Sequence, residues 1–107
     1  MDDEALAEAY YEAVDDGDYD ALRELLAEGF VQVRPDRTFD GRDAFVSFMR
    51  EDRPRTDTRH VLDAVYEGAD GVAARGRVVA TDGPLFAFVD VFETEGDGIS
   101  RLETYVD

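Results

Sequence analysis

Leu85-Phe86-Ala87-Phe88-Val89-Asp90-Val91-Phe92 alternates on a two-residue period, with Phe86, Phe88, Asp90 and Phe92 on one side and Leu85, Ala87, Val89 and Val91 on the other. A half-exposed antiparallel strand is polar on its solvent side, so a strand that is apolar on both sides should be covered on both. The aromatic side is expected to meet helices of the same chain, and the small aliphatic side a second copy of it. One acid, Asp90, interrupts the aromatic row. Among phenylalanines it loses hydration, which raises a carboxyl pKa and makes the group a proton donor or a poised base. The plainer expectation is a carboxylate hydrogen-bonded to a neighbouring Tyr, Arg or backbone group.

Working outward, the same two-residue period predicts strands at about 58–67, 72–81, 85–94 and 98–106, separated by Gly68, Asp82-Gly83-Pro84 and Glu95-Gly96-Asp97-Gly98. Together they read as an antiparallel meander. Upstream the period changes. Leu6, Ala9, Tyr10, Ala13 and Val14 recur at three- and four-residue steps opposite Glu4, Glu8, Glu12 and Asp15, which predicts an amphipathic helix ended by Gly17. Asp18 can cap a second helix, buried through Tyr19, Leu22, Leu25 and Leu26 and stopped at Gly29. A brief strand at Phe30 to Arg34 ends at Pro35. Gly41-Arg42-Asp43 then leads into a third helix with Ala44, Phe45, Phe48 and Met49 inward, and 51–57 is a polar loop. Helices followed by strands with short connections indicate an α+β layer fold in one domain, residues 1–107.

Composition narrows the function. The chain has 27 acidic residues against 11 basic ones, and all the basic ones are Arg. A net charge of −16 strains a fold through self-repulsion unless salt screens it, so the composition reads as adapted to high salt. Such a surface repels nucleic acid and anionic lipid. No apolar run reaches the roughly 20 residues that span a bilayer, and the acidic start Met1-Asp2-Asp3-Glu4 is unlike a signal peptide, so a cytoplasmic protein is expected. With no Cys and one His, only carboxylates could build a metal site, and the acidic clusters Asp2-Asp3-Glu4 and Asp15-Asp16 lack calcium-loop spacing and read as solvated faces. No nucleophile elbow, phosphate-binding glycine loop or dinucleotide fingerprint occurs. Any chemistry is expected to be acid–base work without a cofactor.

Gly17-Asp18-Tyr19-Asp20-Ala21-Leu22-Arg23-Glu24-Leu25-Leu26-Ala27-Glu28, Gly41-Arg42-Asp43-Ala44, Phe88-Val89-Asp90-Val91-Phe92 and Gly98-Ile99-Ser100-Arg101-Leu102, in that order, resemble the SnoaL-like branch of the nuclear transport factor 2-like superfamily over nearly the whole chain. The resemblance implies a cone: a strongly curved antiparallel sheet around N-terminal helices, with an apolar pocket and frequent dimers through the sheet. It also implies a range of activities, among them ketosteroid isomerases, polyketide cyclases, limonene epoxide hydrolases and proteins without catalysis, so the fold leaves function open. Against the isomerase pattern, Tyr10 and Asp90 stand where an oxyanion-binding Tyr and a protonated Asp are found. The general-base Asp before a Pro is replaced by Arg34, which cannot accept a proton. Against the epoxide hydrolase pattern Asp90 matches, while Phe88 and Thr104 replace the arginine and the second carboxylate. A cyclase-like pair would be Asp90 with His60.

The remaining candidates follow from strand faces. Arg34 alternates with Phe30 and Gln32 and would lean toward the pocket mouth, to bind a carboxylate or enolate or to meet an acid of the fold. His60 shares its predicted face with Leu62, Ala64 and Tyr66; a lone His there is more often a satisfied core residue than a catalyst. Arg75 and Arg77 are expected to pair with surface carboxylates. The expectation is a homodimeric protein binding a small apolar carbonyl compound and isomerising, cyclising or dehydrating it. Asp90 and Tyr10 would donate hydrogen bonds to a developing oxyanion, His60 would be a further acid–base group, and Arg34, Phe86, Phe88, Phe92 and Tyr66 would hold the ligand. The competing expectation is a non-catalytic binding or assembly module whose cone is plugged by Phe86, Phe88 and Phe92.

Overall fold

Asp2 starts the first helix by accepting the Ala5 N–H at 2.8 Å, and Asp3 and Glu4 place negative charge against its positive end. Helix α1 runs Asp3–Asp16 and stops at Gly17, whose φ of 68° lets the chain turn back so that its own N–H reaches the Val14 carbonyl and the Asp18 N–H the Ala13 carbonyl. Asp18 caps α2, Tyr19–Leu25, through the Ala21 N–H. The computed structural model describes residues 1–53, 55–96 and 98–107; Pro54, in the loop read at 51–57, and Asp97, in the turn before the last strand, lie outside them.

Helix α2 ends four residues before Gly29, which corrects the expected stop. Leu26 is already extended and begins strand β1, Leu26–Val33, because it is paired with Ile99 in parallel fashion and both side chains are buried. Tertiary pairing outweighs the helix propensity of Leu-Leu-Ala-Glu. Strand β2, Thr38–Asp40, folds back on β1, and helix α3, Arg42–Glu51, follows Gly41. The inward residues of α3 are Phe45, Val46 and Met49, with Phe48 half-buried and Ala44 exposed, a rotation from the expected set.

Strands β3 (Arg59–Glu67), β4 (Gly71–Ala80), β5 (Gly83–Glu95) and β6 (Gly98–Val106) form the meander predicted from the alternation. The six-stranded sheet has the order β2-β1-β6-β5-β4-β3, antiparallel throughout except for β1 beside β6. It curves without closing, as the cone requires, and the helices fill its concave side. Phe30, Phe45, Phe92, Leu22, Ile99 and Leu102 are fully buried there.

One irregularity changes which side chains face inward. In β3, Leu62 is opposite Gly76 and Ala64 is opposite Arg75, so Asp63 is an extra residue. A bulge of this kind inverts the alternation beyond it. Val65 therefore turns toward the core, and Tyr66, expected to share the face of His60, emerges on the convex side 53% exposed. Among the described residues no helix is long and apolar enough to cross a membrane.

Candidate functional site

Helix α1 presents two adjacent rows to the sheet, one through Tyr10, Ala13 and Val14 and a second through Ala7, Tyr11 and, one turn further, Asp15. The second row meets β5 and β3. Tyr11 gives its hydroxyl hydrogen to Asp90 Oδ2 at 2.6 Å. Thr104, the cross-strand neighbour of Asp90 on β6, donates to Oδ1, also at 2.6 Å. Behind Thr104 lies a directed chain: Arg34 Nε donates to Gln32 Oε1 at 2.8 Å, and Gln32 Nε2 donates to Thr104 Oγ1 at 3.0 Å. A guanidinium can only donate, so Arg34 sets the orientation of the Gln32 amide and leaves the Thr104 hydrogen for Asp90. The carboxyl thus accepts on both oxygens while 5% exposed. Burial raises its pKa above the usual carboxylate range, and the two hydroxyl donors pull the other way without reversing it.

Tyr10 is equally buried but differently used. Its ring is packed edge-on against Phe92, at 5.4 Å between centroids, and stacked on Phe45 at 6.4 Å. Its hydroxyl has no hydrogen-bond partner among the described residues and faces a cavity. Burial, reinforced by the charge of Asp90, keeps the phenol well above its ordinary pKa and therefore neutral. The tyrosine that touches Asp90 is Tyr11, whose phenol is raised for the same reasons and by its own hydrogen bond to the acid.

His60 is fixed by Asp15. The carboxylate accepts the His60 backbone N–H at 2.9 Å and lies 2.7 Å from Nδ1, which places the ring hydrogen on Nδ1 and leaves Nε2 without a partner among the described residues. The ring rests against Tyr11 and Phe88, with centroids at 4.9 and 5.5 Å. Asp15, read from the sequence as part of a solvated face, is an interior residue.

These groups surround one cavity of about 610 Å³. Its walls include Tyr10, His60, Asp90, Arg34, Phe86 and Phe88, which the sequence had singled out. Two candidates are not there. Phe92 is sealed in the solid core behind Tyr10, and Tyr66 is on the opposite side of the sheet because of the Asp63 bulge. Arg34 pairs with no acid among the described residues; its guanidinium lies 5.2 Å from the centre of Phe39 and 5.4 Å from that of Phe48. Gln32, Thr104, Tyr11, Asp15 and Arg53 belong to the site or its supports and were missed. Tyr11 and Asp15 carried a signal, a four-residue step on the same helix as Ala7. The others depend on strand pairing and on a loop path, for which single residues carry none. A buried acceptor, an uncommitted phenol and an oriented imidazole around an apolar space can perform acid–base chemistry on a bound carbonyl compound.

Comparison with known proteins agrees with this fold. A SnoaL-like domain family model matches residues 7–102. Among solved structures, an NTF2-like protein of unknown function from Cytophaga hutchinsonii superposes with a TM-score of 0.86 at 17% identity, over 100% of this chain and 91% of that one. A presumed ketosteroid isomerase from Kribbella flavida gives 0.84 at 19% identity over 96% and 76%. A presumed polyketide cyclase from Sinorhizobium meliloti gives 0.83 at 19% identity over 94% of each chain. No protein of curated function matches.

Proposed function

Because this chain belongs to the SnoaL-like domain family, we propose that its cavity takes up a small, mostly apolar carbonyl compound and carries out proton transfer on it without a cofactor. The observation that supports this most is a space of about 610 Å³ whose wall holds a desolvated Asp90 carboxyl and a Tyr10 hydroxyl with no hydrogen-bond partner among the described residues. Ligand pockets start at about 300 Å³, and Phe86 and Phe88 are among the residues that line this space.

The hydrogen-bond directions assign roles. Asp90 is surrounded by donors, so it acts as the base that the Arg34 substitution had seemed to remove, taking a proton from the carbon next to the carbonyl. Tyr10 keeps its hydrogen and gives it to the oxygen on which negative charge collects. His60, held by Asp15, receives or returns a proton at a second position through Nε2. Returning the proton to a different carbon is isomerisation; giving one to a departing hydroxyl is dehydration. The test is deuterium uptake. In D₂O with molar KCl, 2-tetralone should gain deuterium beside its carbonyl faster with the protein than without, and Asp90→Asn should abolish the difference. No acceleration by the wild-type protein would leave a binding module.

The convex face is proposed to join two copies. Ala87, Val89 and Val91 form its apolar centre, with Val61, Tyr66 and Tyr105 exposed around it. Arg75 and Arg77 on β4 flank one side and Glu103 on β6 the other, so β4 of one copy over β6 of the second matches opposite charges. Sedimentation in molar KCl should show a dimer that Val89→Arg converts to monomer; a wild-type monomer at the highest concentration measured removes this proposal.

A further inference from the structure

Six of the eleven arginines have an acid beside them among the described residues. Arg23, Arg37, Arg50, Arg55, Arg77 and Arg101 all lie within 4 Å of carboxylates. Of the three that line the cavity, Arg55 is matched by Asp57 and Asp82, while Arg34 and Arg53 have no carboxylate partner among the described residues. Arg53 is the less satisfied of the two. Its Nε, like that of Arg42 outside the cavity, is buried with no partner among the described residues, and Nη1 has only a long contact of 3.4 Å to the Val14 carbonyl. A buried guanidinium nitrogen that gives up water without gaining an acceptor is costly. The part of Arg53 that lines the cavity meets no anion among the described residues, and a planar, two-oxygen carboxylate matches a guanidinium fork.

The acids facing the same space do not supply that anion. Asp36 at the rim is turned to Arg37 at 3.7 Å. Asp90 is occupied by the Tyr11 and Thr104 hydroxyls. Counting Asp90 against Arg34 leaves the charge of Arg53 uncompensated on the wall. Both arginines line the same cavity as Tyr10.

From this we infer that the ligand carries a carboxylate as well as its apolar body, and that Arg53, with Arg34 beside it, binds the carboxylate. The class is a small aryl or alicyclic monocarboxylate. The inference rests on the pocket reading above and adds the polar end of the ligand to it. Fixing that end by a fork of two hydrogen bonds would orient the apolar body against Phe86 and Phe88. Molar salt also suits such a ligand, since it screens the long-range repulsion of a −16 protein more than a contact pair inside a cavity.

Matched acids and amides test it: benzoate with benzamide, trans-cinnamate with cinnamamide and 2-naphthoate with 2-naphthamide, titrated by NMR in molar KCl. At least one acid should shift the signals of His60 and Tyr10 saturably and bind about tenfold or more tightly than its amide. Arg53→Gln should erase that preference, and Arg53→Lys should keep part of it. Equal binding of acids and amides overturns the inference and leaves the pocket reading intact. Failure of all six probes at millimolar concentration overturns both. An unaltered preference in Arg53→Gln overturns the role of Arg53. The comparison of acid with amide uses the wild-type protein, so it does not depend on a variant folding.

Discussion

On one side of Tyr10 the interior is solid, and on the other it is hollow, although both sides are lined with phenylalanine. Phe30 and Phe45 lie 5.2 Å apart between ring centres, with Phe92 closing on Tyr10 at 5.4 Å, and none of the three phenylalanines is reached by solvent to any useful extent. Phe86 and Phe88 instead stand on the wall of the cavity. The difference is made by polar side chains. Asp90, Thr104, Gln32 and Arg34 bond one another along the strands, and that satisfied chain cannot collapse onto apolar neighbours without breaking bonds. Packing decides the first region and hydrogen bonding the second.

The largest effect should come from opening the solid side. Phe45→Ala should cost about 3–5 kcal/mol by urea unfolding in molar KCl, since a fully buried ring leaves a void there. Phe86→Ala, on a half-exposed ring beside existing space, should cost less than about 1 kcal/mol by the same measurement. Equal losses would erase the contrast between the two regions.

Tyr11→Phe should rank next, at about 1.5–3 kcal/mol, because it removes a donor from a buried acid. It should also raise the Asp90 pKa further, which carbon-detected NMR can follow. Tyr10→Phe should change stability by no more than about 0.5 kcal/mol, since its hydroxyl has no described partner to lose, yet it should abolish turnover of the ketone probe.

The pH effect is smaller and has a definite sign. A carboxyl whose pKa is raised by folding takes up its proton in the native state before it does in the unfolded chain. Its contribution is then fully present below the unfolded value and lost as pH rises through the folded one. The stability of the wild-type protein relative to Asp90→Asn should therefore fall as pH is raised from below 3.8 through the higher native value, and stay level above it. Urea titrations of the two proteins at matched ionic strength read this difference. A trend of the opposite sign would mean that the hydroxyl donors dominate over burial.

The four strands of the meander were legible because glycine-bearing turns and strict alternation are local signals, and α1 because its caps and spacing agree. Failures came where partners distant in sequence decided the outcome. Leu26 leaves α2 for a strand because Ile99 is beside it. Tyr66 turns outward because a single extra residue, Asp63, is accommodated opposite β4. In the candidate site Asp90, Tyr10, His60 and Arg34 were found as unusual residue types on apolar faces. Tyr11 was hidden next to Tyr10, since a helix with two buried rows offers two tyrosines and the spacing alone does not say which one reaches β5.

The sequence by itself determined the α+β class, the order of helices and strands, the acidic surface and the presence of one acid in an aromatic row, all of which follow from composition and short-range periodicity. Only the tertiary structure decided that Asp90 accepts from Tyr11 and Thr104, that Asp15 orients His60, and that Arg34 and Arg53 line the cavity with no carboxylate partner among the described residues. Those relations join residues between 14 and 79 positions apart. A hydrogen bond acts over about 3 Å, and chain curvature and register alone bring such groups within that range.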